Sequence, residues 1–539
     1  MSVKILWCLF FSLIICGKCN LDNKELLVEI PNGVLRGKDN NGLYYSWESI
    51  PYAVPPVGDL RFEAPQPFRQ QWQDVFDATK TAPNCMQWDQ FRQGENKVRG
   101  IEDCLTVSVY KPKVQGKDNY PVMVFIHGGS FMFGGVRIYN PERLMASGKL
   151  ILVTIAYRLG PLGFLSTEDE AITGNFGLKD QQLALTWIKE NIEKFGGDPQ
   201  KILLTGFSAG GASTHLLMLQ SAEKNVAKAA ISFSGVALNP WVLHKNVREK
   251  AIKVGSLVNC YPMETTQDLK DCLKRQKPED IVATVKDFHN IGYNPFSVFG
   301  PVIEHKQAPQ AFLTQHPRDI IKSGNFTQIP WLASQVADEG GYNAAEMLKI
   351  NPKTGKEFIY EFNEHWPELL PQNIFLDNIR EDYQEYAQAL KQRYLGDKPF
   401  TVQNYMNFSN LFTDVAFKEG ILESIQLHSK YSQAPVYGYI YDNPGVTGVG
   451  QLLAKRNDVY FGTVHMDDLT LFLSTGNRHL TEDEEIIANK FVDMLIGFIE
   501  TGKLSFGHCD FVNNSGKISE YIKIMSITKD KCETLEYKM

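Results

Sequence analysis

A serine flanked by glycines, in Gly206-Phe207-Ser208-Ala209-Gly210, is the segment best suited to do chemistry. An apolar run precedes it and a helix-compatible stretch follows, which is the strand–turn–helix context of a nucleophile elbow. The glycines remove β-carbons that would collide in such a turn, so the serine hydroxyl can stand clear of the sheet. The Ala209 N–H would then lie at a helix N-terminus, where negative charge is stabilised. The pentapeptide alone is equally compatible with an ordinary turn.

A second glycine motif, His127-Gly128-Gly129-Ser130, follows the apolar run 122–126. Consecutive glycines allow backbone N–H groups to converge on one point, as an oxyanion hole requires. In isolation a flexible turn is the alternative. Together with the elbow, the motif predicts an oxyanion hole formed by Gly128, Gly129, Ser130 and Ala209.

The elements that must position these motifs alternate between strand and helix patterns. Short apolar runs at 122–126, 150–155, 202–204, 230–233, 329–333 and 435–440 are typical of buried strands. Leu185, Ile188, Ile192 and Phe195 share one face of an amphipathic helix that the segment 196–199 should end. This alternation predicts an α/β fold with a mostly parallel sheet, whose ligands bind beyond the strand carboxyl ends. Residues 240–320 and 340–430 should be helical or irregular and cap the sheet.

Composition is that of a globular protein, and no linker, low-complexity tract or repeat interrupts the chain of 539 residues. We therefore expect residues 20–539 to form one domain. Without Lys4 and Lys18 the net charge is −9, from 53 basic and 62 acidic residues. An acidic chain without a basic stripe argues against nucleic acid or anionic lipid as a partner.

The first nineteen residues resemble a secretory signal peptide. Lys4 precedes an apolar run from Ile5 to Ile15, and small residues at Gly17 and Cys19 predict cleavage before Asn20. A membrane anchor is the alternative, but the run is shorter than the roughly 20 residues that a span needs. We expect a secreted, extracellular protein without a stable membrane anchor.

Cysteine spacing and sequons agree with secretion. The six remaining cysteines form three close pairs, so the simplest of fifteen pairings joins Cys85–Cys104, Cys260–Cys272 and Cys509–Cys532. No Cys/His spacing suggests a metal site. N-glycosylation is predicted at Asn325, Asn407 and Asn513, of which one or two should be used.

Beyond these features, the chain resembles the type-B carboxylesterase/cholinesterase family of the α/β-hydrolases, and within it secreted insect carboxylesterases. The resemblance covers nearly the whole mature chain in family order. Its marks are the elbow and the segments 51–56, 60–62, 102–105, 157–160, 163–165, 174–178 and 195–199. It implies an α/β-hydrolase fold with helical cap insertions.

The resemblance also implies a catalytic triad. The family's nucleophile falls on Ser208, its acid on Glu339 of Asp338-Glu339-Gly340, and its histidine on His465 of Gly462-Thr463-Val464-His465. The order Ser, Glu, His is that of α/β-hydrolases. From the residues alone, a solvated surface pair is the favoured interpretation of Asp338 and Glu339, and most of the eleven histidines should have no catalytic role. The family's ion pairs would fall on Arg61 with Glu102 and on Arg158 with Asp180.

Three departures from the family bear on substrate choice. Ser130 stands where a third glycine is usual, and Phe207 stands where cholinesterases carry glutamate before the nucleophile. Gly94 occupies the position of the choline-site tryptophan, so the cation–π platform for a quaternary ammonium is absent. Trp241 matches the acyl-pocket segment and, with Phe207, is a candidate to line that pocket; a core tryptophan is the alternative.

The sequence therefore predicts a serine carboxylic-ester hydrolase that acts through an acyl-serine on small-to-medium apolar esters of xenobiotic, dietary or odorant type. It would need no metal or organic cofactor, and its partner would be a small-molecule ester; the oligomeric state is left open. The alternative is a slow or silent family member that sequesters a ligand or acts in adhesion. The presence of Ser208, Glu339 and His465 favours the enzyme.

Overall fold

The computed structural model describes residues 25–92, 94, 96–116, 118–445, 448–475, 479–516 and 520–538. The predicted signal peptide, residues 1–19, lies outside the described residues. At the centre is an eleven-stranded sheet. Its strands are β1 (Lys38–Asn40), β2 (Tyr44–Pro51), β3 (Thr106–Pro112), β4 (Tyr120–Ile126), β5 (Ile151–Ile155), β6 (Gly197–Phe207), β7 (Ala229–Phe233), β8 (Trp331–Val336), β9 (Val436–Asp442), β10 (Tyr521–Thr528) and β11 (Cys532–Lys538).

The middle of this sheet is parallel and its edges are antiparallel. The spatial order is β11-β10-β9-β8-β7-β6-β4-β5-β3-β2-β1, and every pairing from β10 across to β5 is parallel. β4, β5, β7 and β8 are buried along their whole length, because helices cover both faces of the sheet. The predicted α/β fold with a mostly parallel sheet is confirmed.

Smaller antiparallel pairings lie outside the central sheet: Leu27–Ile30 with Gly33–Arg36, Gln87–Trp88 with Val98–Arg99, Tyr139–Asn140 with Ser474–Thr475, and Ser505–Phe506 with Cys509–Asp510. Phe76–Asp77 adds a parallel strand beside the first of these.

The helices are α1 (Glu142–Ala146), α2 (Gly160–Phe164), α3 (Phe176–Asn191), α4 (Ala209–Met218), α5 (Val247–Leu257), α6 (Thr266–Arg275), α7 (Pro278–Ala283), α8 (Pro317–Ser323), α9 (Gly341–Met347), α10 (Phe358–Asn373), α11 (Leu376–Ile379), α12 (Tyr383–Leu395), α13 (Tyr405–Phe412), α14 (Glu419–Tyr431), α15 (Val449–Ala454) and α16 (Glu482–Thr501). Among the residues described, none of these helices has the length and apolarity to cross a bilayer.

The two long segments predicted to be helical or irregular contain α5–α8 and α9–α14. The second packs around its own apolar cluster, which includes Phe362, Phe400, Phe408 and Phe412. The predicted amphipathic face of Leu185, Ile188, Ile192 and Phe195 is buried. The helical segment ends at Gly196, as predicted, with this glycine in the left-handed conformation. Only its last turn differs: α3 stops at Asn191 and a 3₁₀ turn continues to Phe195, before β6 begins at Gly197.

Three disulfides join Cys85 to Cys104, Cys260 to Cys272 and Cys509 to Cys532, which is the pairing that the spacing predicts. A closed loop of this size contributes about 3 kcal/mol by reducing the entropy of the unfolded chain. Two buried ion pairs hold further loops: Arg61 contacts Glu102 at 2.6 Å, and Arg158 contacts Asp180 at 2.7 Å.

Candidate active site

Ser208 occupies a strained turn between β6 and α4. Its φ of 57° and ψ of −119° lie outside the regions that side-chain-bearing residues prefer, which costs about 1–3 kcal/mol. Two backbone hydrogen bonds hold it there: its N–H donates to Phe233 O at 2.7 Å, and its carbonyl accepts from the Ala212 N–H at 2.9 Å. A β-carbon on Gly206 or Gly210 would lie 2.0 Å from a carbonyl oxygen, so the turn requires both glycines.

Glu339 and His465 form a hydrogen-bonded pair in the interior. Glu339 lies three residues beyond β8 and is completely buried, and His465 is only 5% exposed. The imidazole Nδ1 bonds to Glu339 Oε2, while the Val336 N–H donates to Oε1 at 2.9 Å. The alternative that Glu339 belongs to a solvated pair on the surface is therefore wrong. With both carboxylate oxygens bonded, the ring is held with Nδ1 towards Glu339 and Nε2 free for another partner.

Asp338 joins the loop of Glu339 to the loop of His465. The Asp338 N–H donates to Thr463 O, and the Thr463 N–H donates to Asp338 Oδ2, each at 2.9 Å. Gly462 has a φ of +78°, and a β-carbon there would lie 2.1 Å from Asp338 Oδ2. On the other side of the histidine, Asp467 Oδ2 accepts the Val464 N–H at 2.7 Å. The position of the imidazole thus depends on two aspartates that do not contact it through any described hydrogen bond.

Two carboxyl groups near the pair, those of half-buried Asp338 and fully buried Asp468, have raised pKa values. Burial raises the pKa of Asp338 to about 6, and the charges of Asp442 and Glu339 add to the rise. Burial likewise raises the pKa of Asp468 to about 6; this carboxyl accepts hydrogen bonds from the Tyr439 hydroxyl at 2.7 Å and from a backbone N–H. The site therefore places two aspartic acids where desolvation opposes their ionisation.

Aromatic rings enclose the imidazole. The centroids of Phe207, Phe417 and Tyr342 lie 4.6, 5.0 and 5.5 Å from that of His465. Because Phe207 is the neighbour of Ser208 in the chain, its contact brings the imidazole to the elbow. The arrangement excludes most water from the pair, which strengthens electrostatic interactions there.

The glycine loop meets the elbow. A β-carbon on Gly128 would lie 3.0 Å from Ser208 Cβ, so the two segments touch. Gly129 and Ser130 have φ values of 112° and 58°. Within the described part of the chain, the backbone N–H groups of Gly129, Ser130 and Ala209 have no hydrogen-bond partner. Gly128, the fourth predicted donor, instead forms a backbone hydrogen bond with the Tyr139 hydroxyl. Ser130 and Ala209 are buried and Gly129 is half-buried. Unpaired buried donors are rare in proteins, and these three N–H groups beside a strained serine can stabilise a developing oxyanion.

Trp241 and Phe207, the predicted acyl-pocket residues, are both buried. The Trp241 indole N–H donates to Ala416 O at 2.9 Å, and its ring lies 6.0 Å from Phe417, which itself contacts His465. Trp241 is thus one aromatic ring away from the imidazole, and its part in acyl recognition stays a prediction.

The sequence analysis did not identify three residues that shape this site: Tyr342, Phe417 and Asp467. It named Asp338 but not its role in joining the two loops. Tyr342 lies three residues beyond Glu339, a spacing that could have flagged it on the first turn of α9. Phe417 lies in a π-helical segment far along the chain, where no sequence signal marks it.

Comparison with known proteins agrees with this geometry. Residues 24–537 match the sequence profile of the carboxylesterase family. Esterase-5B of Drosophila miranda is 52% identical over 518 residues, covering 95% of this chain and 94% of the relative. Esterase-5A of Drosophila pseudoobscura pseudoobscura is 50% identical over 517 residues, covering 94% and 93%.

Among solved structures, that of juvenile hormone esterase from Manduca sexta with OTFP covalently attached superposes with a TM-score of 0.79. It is 25% identical to this chain and the match covers 95% of this chain and 96% of that one. On the strength of a match along almost its entire length, this protein belongs to the carboxylesterase family and is a carboxylic-ester hydrolase with the α/β-hydrolase fold.

Proposed function

We propose that this protein is an extracellular serine carboxylesterase that hydrolyses small-to-medium apolar esters through an acyl-serine on Ser208. The observation that carries the proposal is the buried Glu339–His465 pair, whose imidazole packs against the residue next to a strained serine.

In the proposed reaction, His465 takes the Ser208 hydroxyl proton as the oxygen attacks the ester carbonyl. Glu339 keeps the proton of the neutral ring on Nδ1 and stabilises the imidazolium without taking its proton. The N–H groups of Gly129, Ser130 and Ala209 hold the oxyanion; one such donor is typically worth about 10²–10³ in rate. The imidazolium then protonates the departing alcohol, and a water activated by the same histidine hydrolyses the acyl-serine.

The surroundings of His465 support apolar substrates. Its ring neighbours are Phe207, Tyr342 and Phe417, and these present no charge to a bound ester. Apolar rings favour alkyl or aryl groups through burial of their surface, at about 25 cal/mol per Å². With Gly94 at the choline-site position, a quaternary ammonium would lack an aromatic platform there.

Secretion is part of the proposal. Three disulfides suit an oxidising compartment. Asn325 and Asn407 are exposed and could carry glycans, whereas Asn513 is half-buried with its carbonyl oxygen bonded to the Val436 N–H. We further infer that residues 20–539 act as one domain, since strands from both ends of the chain enter one sheet. Expression in insect cells, with intact mass measured before and after deglycosylation, tests secretion and glycan number together.

The activity test compares wild type with Ser208→Ala, using chromogenic acetate and butyrate esters and a fluorophosphonate label. Ser208→Ala should lose both turnover and labelling while its melting temperature is retained. Ser213→Ala, on the same helix and also buried, is the matched control and should keep both. A panel of esters that differ in acyl and alcohol length then measures the substrate preference.

The results separate the enzyme from a ligand-sequestering protein. A wild type that binds esters but neither turns them over nor reacts with the fluorophosphonate would refute the proposal. Turnover by Ser208→Ala equal to that of wild type would refute the assignment of the nucleophile.

A further inference from the structure

A series of hydrogen-bonded polar side chains outside the proposed triad ends on the glycine loop at residues 128–130, here called the oxyanion loop. Lys250 Nζ lies 3.1 Å from His244 Nδ1, and His244 Nε2 lies 3.2 Å from Ser297 Oγ. The Ser297 hydroxyl donates to Ser130 O at 3.3 Å. His244, Ser297 and Ser130 are all buried, and none of these contacts involves Ser208, Glu339 or His465.

The direction of this series follows from hydrogen-bonding capacity. Burial lowers the pKa of Lys250 to about 8, with the Asp377 charge opposing, so the group is an ammonium at neutral pH and can only donate. Burial and the Lys250 charge hold the pKa of His244 well below its usual range, so the ring is neutral. Its Nδ1 must therefore accept from Lys250, and its Nε2 carries the proton and donates to Ser297. Ser297 in turn has its own proton left for Ser130 O.

The series of hydrogen bonds ends at Ser130 O, in a strained part of the oxyanion loop. Ser130 and Phe131 follow each other with φ values of 58° and 62°, a left-handed pair without glycine that costs about 1–3 kcal/mol per residue. Such strain persists only where neighbours enforce it. The Ser297 hydroxyl fixes the peptide plane between these two residues, and the Phe131 carbonyl is held by the Gly160 N–H at 2.7 Å.

Close packing keeps the histidine in place. A β-carbon on Gly300 would lie 2.8 Å from both His244 Cδ2 and Nε2, so the backbone presses directly on the ring. At the other end of the series, Lys250 Nζ also donates to Val298 O at 2.8 Å. The segment 297–300 is thereby bound to both the lysine and the oxyanion loop.

We propose that Lys250, His244 and Ser297 form a positioning relay for the oxyanion hole. By fixing the Ser130 carbonyl, the relay holds Ser130 in its strained conformation, and the direction of the Ser130 N–H, which lies on the preceding peptide, depends on that conformation. The proposal rests on the assignment of Gly129, Ser130 and Ala209 as the oxyanion donors. The relay residues do not touch substrate; they act through the conformation of the loop. Serine occupies the third position of the glycine motif, and the relay holds this residue in the left-handed conformation that a glycine would adopt without strain.

The test compares Ser297→Ala, Lys250→Met and the double variant with wild type, with rates normalised to active sites titrated by a fluorophosphonate. Ser297→Ala should lower kcat by about threefold to tenfold, the size of one hydrogen bond, with KM unchanged. The affinity for a trifluoromethyl ketone, whose bound oxyanion occupies the hole, should fall by the same factor. The affinity for the matching methyl ketone should not change.

The double variant tests whether Lys250 acts through Ser297. Because the three groups act in series, Lys250→Met with Ser297→Ala should cost no more than Ser297→Ala alone. Ser424→Ala is the matched control: this serine is equally buried and donates to one carbonyl, Gly420 O at 2.7 Å, away from the loop. It should change neither kcat nor inhibitor affinity.

The outcomes separate the relay from the proposed function. If wild type hydrolyses no ester, both proposals fall. If wild type is active and Ser297→Ala matches it in kcat and in trifluoromethyl ketone affinity, only the relay is overturned. A lower melting temperature with unchanged kinetics would overturn it too, since it would show a purely structural role.

Discussion

Replacing Glu339 with glutamine removes one charge and keeps the shape of the side chain. In the wild type the two carboxylate oxygens accept from two donors, the Val336 N–H and His465 Nδ1. Glutamine has one oxygen and can satisfy only one of them. Leaving the buried backbone N–H unpaired costs about 1–3 kcal/mol, so we expect the amide oxygen to turn towards Val336 and the amide NH₂ towards the imidazole.

The consequence is the wrong tautomer. An NH₂ group facing Nδ1 makes that nitrogen an acceptor and moves the ring proton to Nε2, the nitrogen that must accept the Ser208 proton. The imidazolium also loses the negative charge beside it. In serine hydrolases the corresponding change lowers kcat by about 10⁴, which is about 5.5 kcal/mol of transition-state stabilisation. We expect Glu339→Gln to lower kcat by about 10³–10⁴ with a small change in KM.

The assay is steady-state hydrolysis of a chromogenic butyrate ester, with melting temperatures measured in parallel. Glu346→Gln is the control: Glu346 is also a buried glutamate, within α9, but it pairs with Lys349 rather than with the histidine. It should keep wild-type kcat. If Glu339→Gln retains kcat within about tenfold of wild type, the orienting role of Glu339 is refuted.

Three further predictions concern the loops around the pair. Burial raises the pKa of Asp468 to about 6, so ionisation of this carboxyl destabilises the folded state. The stability that the neutral carboxyl contributes is therefore complete below about pH 4 and is lost as the pH rises through 6. Asp468→Asn, which never ionises, should therefore exceed wild type in urea unfolding free energy by up to about 3 kcal/mol at pH 8 and match it at pH 4; a constant difference would contradict this. Gly462→Ala would place a β-carbon 2.1 Å from Asp338 Oδ2, and the displaced histidine loop should lower kcat by about 10² in the same ester assay. Gly128→Ala would place a β-carbon 2.7 Å from Phe207 O; the shifted loop should lower kcat by about 10²–10³ with KM little changed, and unchanged kcat would argue against this oxyanion hole.

Local patterns predicted a large part of the fold. Continuous apolar runs such as 122–126 and 230–233 become strands buried on both faces, because a parallel sheet covered by helices needs such sequences. Turn chemistry marked the elbow, since Gly206 and Gly210 are needed wherever a strand turns so sharply into a helix. Close cysteine spacing predicted the disulfide pairing. The apolar spacing and Gly196 predicted where the helical segment after Phe176 ends, but not that its last turn is 3₁₀ rather than α-helical.

The fold class, the elbow and the glycine loop follow from residue types at short, regular spacings, and the resemblance to the family adds the candidate triad. Which carboxylates are buried, which rings enclose His465 and which side chains hold the loops depends on tertiary packing. Glu339 and His465 are 126 positions apart, and Ser297 and Ser130 are 167 apart. Contacts over such separations follow from how helices and loops pack on the sheet, and no local periodicity encodes that packing.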